Sequence, residues 1–427
     1  MRANVAFAMI LLAATSVSGF GADAPPRHGV AMHGEPAYGP DFDHFRYVDP
    51  AAPQGGEIRL AVAGSFDSLH RHIPRGRPAL GLDLTYESLL ARSLDEPFSL
   101  YGLLAASLRM PEDRSWIEFT LRPQARWHDG RPVTVEDVLF SWRTLRDHGL
   151  PGQRLTYARV RHAGPAGPHA VRFEFSGDGD RELPLVMGLM PILPKHHWDG
   201  RRFDETTLEP PLGSGPYRVA AVEPGRMIIY ARVPDWWGRD LPVNRGRHNV
   251  DRVRYDYYRD DTVALEAFLA GRADIRREAD PGRWARAYDG PAVRDGRIRR
   301  EALPHSRPEP LHALVYNPRR PPFDDRRVRE ALGFALDFEW INRTLFSGGY
   351  RRTASIFPNS ALAATGRPAG EELRVLEPWR GVLPEELFDR PFTPPRTDGS
   401  GPAGQRANLR EADRLLREAG WEVAGRR

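Results

Sequence analysis

"RWHDGRPVTVEDVLFSW", residues 126–142, joins a tight turn to a helix. Gly130 and Pro132 follow the pair His128-Asp129, and Thr134 stands three residues before Asp137 at the head of an apolar-periodic run. That spacing is a variant of the capping box, in which a threonine hydroxyl and an acidic side chain satisfy each other's free backbone N–H groups. It predicts a helix from 134 to about 146 with Val135, Val138, Leu139, Trp142 and Leu145 as its apolar stripe. His128 and Asp129 offer acid-base chemistry, but sequence neighbours cannot act as a base and its orienter without contortion, and no third member is identifiable. They read as turn residues that present the helix.

Around this motif, "WIEFTLRP" (116–123) and "AVRFEFSG" (170–177) alternate apolar and polar residues and predict short strands. Upstream, "EIRLAVAG" predicts a first strand over 57–63, after a polar lead rich in Pro and Gly that reads as coil. Residues 80–107 read as helical, with Tyr86, Leu89 and Leu90 on one face and a break at Asp95-Glu96-Pro97. Downstream, "PLGSGPYRVAAVEPGRMIIYARVPDWWG" gives a turn, a strand, a Pro-Gly turn and another strand, and "VDRVRYDYYR" is strand-like again. "DDTVALEAFLAGRADI" predicts a helix capped by Asp260 or Asp261, stopped by Gly271 and followed by a short strand.

"LHALVYNPRRPPFDDRRVREALGFALDFEWINRTLFSGG" reads as a strand, a proline turn and one long helix through Val328, Leu332, Ala335 and Phe338, ended by Gly348-Gly349. Residues 359–405 are expected to be irregular. The last element, "NLREADRLLREAGW", reads as a helix with Asn408 as cap, Glu411 as its partner and Gly420 as its stop. Short strands mixed with helices over 427 residues imply an α/β protein of more than one lobe.

Composition narrows the function. A hydrophobic content of 41% over 427 residues supports two or three globular units. The 61 basic residues are scattered among 57 acidic ones, which argues against nucleic acid, because counterion release needs clustered bases. With no cysteine there is no disulfide, thiolate nucleophile, Cys-ligated zinc or lipid-modified N-terminal Cys. Residues 1–24 carry Arg2, an apolar stretch over 5–14 and small residues through Ala24, the pattern of a secretory signal peptide too short to span a bilayer.

Catalytic, metal and cofactor sites find no support in the motifs. The adjacent His196-His197 cannot chelate one ion side by side and lack HExxH spacing. Ser214 lies between glycines but is followed by Gly-Pro, a turn and not a G-x-S-x-G elbow, and nucleotide-binding glycine loops are absent. No catalytic residue, metal ligand or cofactor is expected. Aromatic residues near turns, among them Tyr86, Tyr101, Trp127, Tyr217, Trp236, Trp237 and Tyr316, mostly pack. A subset in a cleft would suit a ligand with both apolar and hydrogen-bonding groups.

Three of these stretches resemble the family 5 extracellular solute-binding proteins, the oligopeptide, dipeptide and nickel binders of ABC importers. They are "RWHDGRPVTVEDVLFSW", "PLGSGPYRV" and "YNPRRPPFDDRRVREALGFALDFEWI", in that order. "HGVAMHGEPAYGPDFDHFRYVDPAAPQGG", "DEPFSLYGLLA" and "LDFEWINRTLFSGGYRRTASIFPNS" are similar to the Yej-type branch, associated with microcin C and oligopeptide uptake. The resemblance implies a type II periplasmic-binding-protein-like α/β fold, with two hinged lobes and an extra subdomain. Residues 1–24 would be the signal peptide, 25–65 and 190–305 lobe I, 66–189 the extra subdomain, and 306–427 lobe II.

The implied protein is a periplasmic monomer, not membrane-embedded after signal cleavage and not an enzyme, that captures an oligopeptide ligand and delivers it to an inner-membrane ABC permease. From matching positions the expected ligand-binding residues are Phe66, Asp67 and Ser68 after the first strand, Tyr86 and Tyr101 in the extra subdomain, and Asn317 with Arg320 in lobe II. Relatives continue beyond the helix resembling "NLREADRLLREAGW" with a segment that completes lobe II and bears a carboxylate for the peptide's amino terminus. The second lobe is therefore expected to be incomplete. The alternative from another class is a secreted hydrolase of peptides or murein fragments, which needs a Ser-His-Asp geometry or a metal. A nickel or oligosaccharide ligand is the alternative within the binding class.

Overall fold

The computed structural model describes residues 24–422 except Pro97, Asp178 and Arg307, so the expected signal peptide lies outside the described residues. The chain up to Ala264 forms one compact unit and the chain from Leu265 a second. The first unit builds three sheets from β1 (Gly29–Ala31), β2 (Glu57–Ala63), β3 (Leu90–Arg92), β4 (Ser99–Gly102), β5 (Ala105–Arg109) and β6 (Trp116–Leu121). They are joined by β7 (Val160–Gly167), β8 (Ala170–Phe175), β9 (Tyr217–Glu223), β10 (Met227–Arg232) and β11 (Arg252–Tyr258). Its helices are α1 (Val135–His148), α2 (Pro151–Tyr157), α3 (Leu183–Gly188) and α4 (Lys195–Trp198), and α5 (Asp261–Leu269) has residues in both units.

The opening motif folds as its spacing predicts. Asp137 N–H donates to the Thr134 hydroxyl, and the Asp137 carboxylate accepts from Thr134 N–H at 2.9 Å, closing the capping box of α1. The helix lays Val138, Trp142 and Leu145 on the antiparallel sheet β5-β6-β8-β7. Strand alternation sends Ile117, Phe119 and Leu121 of β6 and Val171, Phe173 and Phe175 of β8 into the same core. Burying each such side chain contributes roughly 1.5–3 kcal/mol. Trp142 lies 6.4 Å from the Phe173 ring, and its indole N–H donates to the Tyr157 carbonyl. Across the β6-β8 pair, Arg172 sits opposite Glu118, donates to it at 2.8 Å and lies 4.1 Å above the Trp116 ring.

The second sheet, β2-β11-β10-β9, is antiparallel except for the parallel pair β2-β11. It packs on Phe66, Leu69 and Leu82 through Tyr217, Ile228 and Tyr230. The third, β1-β4-β3, carries a core of Tyr38, Phe45, Tyr101 and Val243. These short strands correct the helix expected over 80–107, where only a single 3₁₀ turn, Leu82–Leu84, is helical. Leu89 and Leu90 are both fully buried, which a strand covered on both faces allows and a one-sided helix stripe would not need. The lead read as coil likewise contributes β1, paired with β4.

In the second unit the helices are α6 (Pro281–Arg286), α7 (Pro291–Arg294), α8 (Arg326–Ala335), α9 (Phe338–Phe346), α10 (Gly370–Leu376), α11 (Glu386–Asp389) and α12 (Arg406–Glu418). α8 and α12 pack through Ala331, Ala412 and Leu415. The strand expected near Leu314 is not formed. Its Leu314 and Val315 are 83% and 90% exposed, and the described residues of this unit supply no strand for it to pair with.

Other boundaries also move. The long helix expected here splits, because Asp337 accepts from Trp340 N–H and caps α9 as a new helix. The strand expected after Gly271 reduces to one bridge at Ile275, and α10 and α11 interrupt the stretch expected to be irregular. α12 begins three residues before its expected start, with Gln405 at the N-cap; Asn408 instead donates to the Arg396 carbonyl and Glu411 pairs with Arg414. Gly420 does follow its end, at φ +86°.

Truncating Trp142 to alanine is expected to cost about 3–5 kcal/mol in urea unfolding, as for other large-to-small core changes. A loss below about 1 kcal/mol would show that α1 does not anchor this sheet.

Candidate functional site

Three stretches singled out in the sequence meet at one place in the first unit. The 213–215 turn approaches the chain near Thr85 so closely that a Cβ on Gly213 would lie 1.8 Å from the Thr85 carbonyl oxygen, and one on Gly215 2.6 Å from that of Leu84. Only glycine fits between these backbones. His128 clamps the turn from outside, its N–H donating to the Gly213 carbonyl and its Nε2 lying 2.8 Å from the Gly215 carbonyl. A carbonyl only accepts, so Nε2 carries the proton, and burial lowers the imidazole pKa and keeps the ring neutral. Asp129 accepts from Arg131 N–H and lies 2.9 Å from His196 Nε2. Both members of the opening pair are thus bonded to scaffold groups.

Neighbouring bonds extend the junction. Trp236 and Trp237 both donate their indole N–H to the Ser214 carbonyl, and Trp237 also lies 3.0 Å from the Glu87 carboxylate. Glu87 is buried, and neither its Oε1 nor the Ser214 hydroxyl has a hydrogen-bond partner of good geometry. Burial pushes the Glu87 carboxyl up to about 8, while the Ser214 hydroxyl and Trp237 indole pull it the other way. At neutral pH this carboxyl is mostly protonated. On the far side of α1, Asp137 accepts from Lys195 N–H and the Ser141 hydroxyl from Leu193 N–H, tying "LPKHHWDG" to the same helix.

Beside this junction opens a cavity of about 280 Å³. Its walls include Leu69, His70, Tyr86, Trp198 and Thr207, with Arg201 and Glu209 at the rim. The rim charges are paired, Arg201 with Glu209 and Arg202 with both Asp204 and Glu205. Behind the lining, His70 Nδ1, Trp198 Nε1 and Nε2 of the neighbouring His72 are buried without a hydrogen-bond partner. Burial lowers the pKa of both histidines, so both rings are neutral. A second hollow of about 140 Å³ is edged by Arg232, Arg239, Arg247 and His248. Burial holds His248 at about 4, and Arg232 pairs with Asp251 at 2.6 Å.

The expected ligand residues fall in different settings. Phe66 is buried against Tyr257, and Ser68 is buried with its hydroxyl on the His70 backbone. Asp67 is exposed and accepts from Arg77 N–H at 2.5 Å. Tyr86 lines the larger cavity, its ring 5.1 Å from His72, whereas Tyr101 is fully buried among Tyr38, Phe42 and Phe45. Asn317 and Arg320 belong to the second unit, on one exposed turn where Arg320 N–H donates to the Asn317 carbonyl. The sequence reading missed His70, Glu87 and Trp198. They come from separated segments, and no spacing signals their meeting. Among the described residues no group of three or more His, Asp or Glu is placed to hold a metal, and no helix is long and apolar enough to cross a membrane.

Residues 99–426 match the model of the bacterial extracellular solute-binding proteins, family 5. The "Probable peptide-binding protein YejA" of Agrobacterium fabrum is 41% identical over 411 residues, covering 94% of this chain and 66% of the relative. Among solved structures, NikA from Brucella suis in complex with Fe(III)-EDTA aligns with a TM-score of 0.63 at 18% identity, over 87% of this chain and 65% of that one. The oligopeptide-binding protein AppA from Bacillus subtilis, in complex with a nonapeptide, aligns with a TM-score of 0.57 at 18% identity and the same coverage. Both likenesses place this chain in the α/β fold of the periplasmic solute-binding proteins. The chain spans about two thirds of the length of these proteins.

Two outcomes test the junction. Gly213→Ala is expected to lower stability by 3 kcal/mol or more, on the order of other severe overpacking changes, or to prevent folding, as read by circular dichroism. Glu87 binds a proton in the folded chain up to about pH 8 but, once unfolded, loses it near its ordinary value of 4.5. The contribution of this raised carboxyl is therefore full below pH 4.5 and is lost as pH rises to 8, by at most about 1.4 kcal/mol per unit. Glu87→Gln should flatten that decline in the thermal midpoint between pH 5 and 8, while an unchanged pH profile would show that Glu87 is ionised in the fold.

Proposed function

This chain belongs to the bacterial extracellular solute-binding proteins of family 5, and from that membership we propose that it captures oligopeptides or peptide-like compounds in the periplasm for an inner-membrane ABC permease. The observation that carries the reading is the 41% identity, along 94% of this chain, to a relative named as a probable peptide-binding protein. Receptors of this kind hold a flexible, dipolar ligand by satisfying its backbone while tolerating varied side chains through bridging water. The residues proposed to meet the peptide are the exposed or cavity-lining members of the expected set: Asp67, Tyr86, Asn317 and Arg320. Phe66, Ser68 and Tyr101 would act behind them, fixing the segments that carry the contacts.

The state of the two acid-base candidates singled out by the sequence motifs supports binding over turnover. His128, the one histidine of the opening pair, spends its Nε2 proton on a backbone carbonyl. Ser214 is buried within a turn, and among the described residues its hydroxyl has no hydrogen-bond partner of good geometry.

Native mass spectrometry of the protein, incubated with a mixed peptide library, is expected to recover intact peptides bound one per chain. Fragmentation of the library, or no retained peptide, would overturn the reading. A peptide present at a hundred times its Kd should also stabilise the fold by about 2.7 kcal/mol.

A further inference from the structure

The smaller hollow of the first unit carries an excess of positive charge that the peptide reading does not use. Four of its lining residues are arginines, Arg232, Arg239, Arg245 and Arg247, while Asp240, exposed, is the one carboxylate among the described lining residues. Two of the four are answered from outside the lining, Arg232 by Asp251 at 2.6 Å and Arg245 by Asp43. The other two meet only neutral oxygens among the described residues. Arg239 donates to the Gln54 side-chain carbonyl at 3.0 Å, and Arg247 donates to the Val243 carbonyl at 3.1 Å.

The way these charges are held favours an anion. Gln54 Oε1 accepts from both Arg232 Nη1 at 2.9 Å and Arg239 Nη2 at 3.0 Å, which brings the two donor nitrogens within about 6 Å of each other. Like charges so close repel, and a neutral amide does not cancel them. A phosphoryl group spreads its charge over three oxygens and can meet two guanidiniums, whereas the two oxygens of a carboxylate fill a single fork. About 140 Å³ is room for such a group with a few waters. The hollow also stands apart from the proposed peptide contacts: Gln54 precedes β2 and Asp251 precedes the parallel β11, whereas Asp67 follows the far end of β2. We infer that this hollow is a phosphoryl-binding site, contacted by Arg239 and Arg247 and supported by Arg232 and Gln54.

The test titrates inorganic phosphate, and separately acetate, into the full chain at constant ionic strength and reads binding by calorimetry. Saturable binding of one phosphate per chain is expected, with acetate bound at least about tenfold more weakly. Arg239→Gln should weaken phosphate binding about tenfold, the size of one lost charge-assisted hydrogen bond. Arg239→Lys, which keeps the charge and loses the fork, should fall between the two. Arg226→Gln is the control: Arg226 is exposed between β9 and β10 and pairs with Glu223 at 3.4 Å, so its loss removes the same charge without touching the hollow. Its phosphate affinity should equal that of the unmodified chain.

A second arm mixes the chain with sedimenting vesicles of phosphatidylglycerol. Phosphate binding together with co-sedimentation that Arg239→Gln abolishes assigns the site to a lipid headgroup. Phosphate binding without co-sedimentation assigns it to free phosphate or a phosphorylated solute, and both results support the site. No saturable phosphate binding, equal affinity for acetate, unchanged affinity in Arg239→Gln or an equal loss in Arg226→Gln would overturn it. Arg239→Gln should still capture peptides, so failure of either reading leaves the other standing.

Discussion

The first unit depends on one steric constraint: two stretches of backbone, 213–215 and the chain around Thr85, lie closer than any side chain permits. Because both partners are main chain, neither can yield by changing rotamer. Everything bonded to the turn inherits its position, from His128 at the head of α1 to the indoles of Trp236 and Trp237. The sheet carried by α1 and the sheet that begins at β9 are therefore located by glycines and carbonyls, with side chains fastening the contact from outside.

That arrangement has an electrostatic cost, and the cost is localised. Ser214 and Glu87 lie together in a buried junction where burial disfavours the charged carboxylate, so the carboxyl keeps its proton. The nearby histidines 70, 72 and 128 are held neutral by the same burial. The groups buried beside the cavity are thus neutral, while the charged residues Arg201, Arg202, Asp204, Glu205 and Glu209 pair with one another nearby.

Much of this was legible from residue order, for identifiable reasons. Local rules succeeded where the determinants are local: the capping box at Thr134, the alternation of β2, β6 and β8, and the glycine after α12. They failed where a partner decides the outcome. Leu89 and Leu90 look like a helix stripe until both faces of a sheet are covered, and the stretch around Leu314 has strand alternation but no strand beside it. Asp337 split a long periodic run because a cap can outweigh continuity of pattern. Of the candidate site, Tyr86 was readable through family resemblance. His70 and Trp198 were not, since their roles exist only after segments more than a hundred residues apart have met.

The parallel pairing of β2 with β11 also shapes the order in which the chain can assemble. Glu57 lies opposite Arg252 and Ala63 opposite Tyr258, so the edge contact of that sheet closes a very long loop, whereas β9, β10 and β11 pair with near neighbours. Loop closure of this length is slow even when its entropy grows only logarithmically. As the chain is made from its amino terminus, β2 has no strand partner in this sheet until β11 has been added. The three-stranded platform of β9 to β11 then supplies its docking edge. The last strand of the sheet to be made sets the time at which the first is secured.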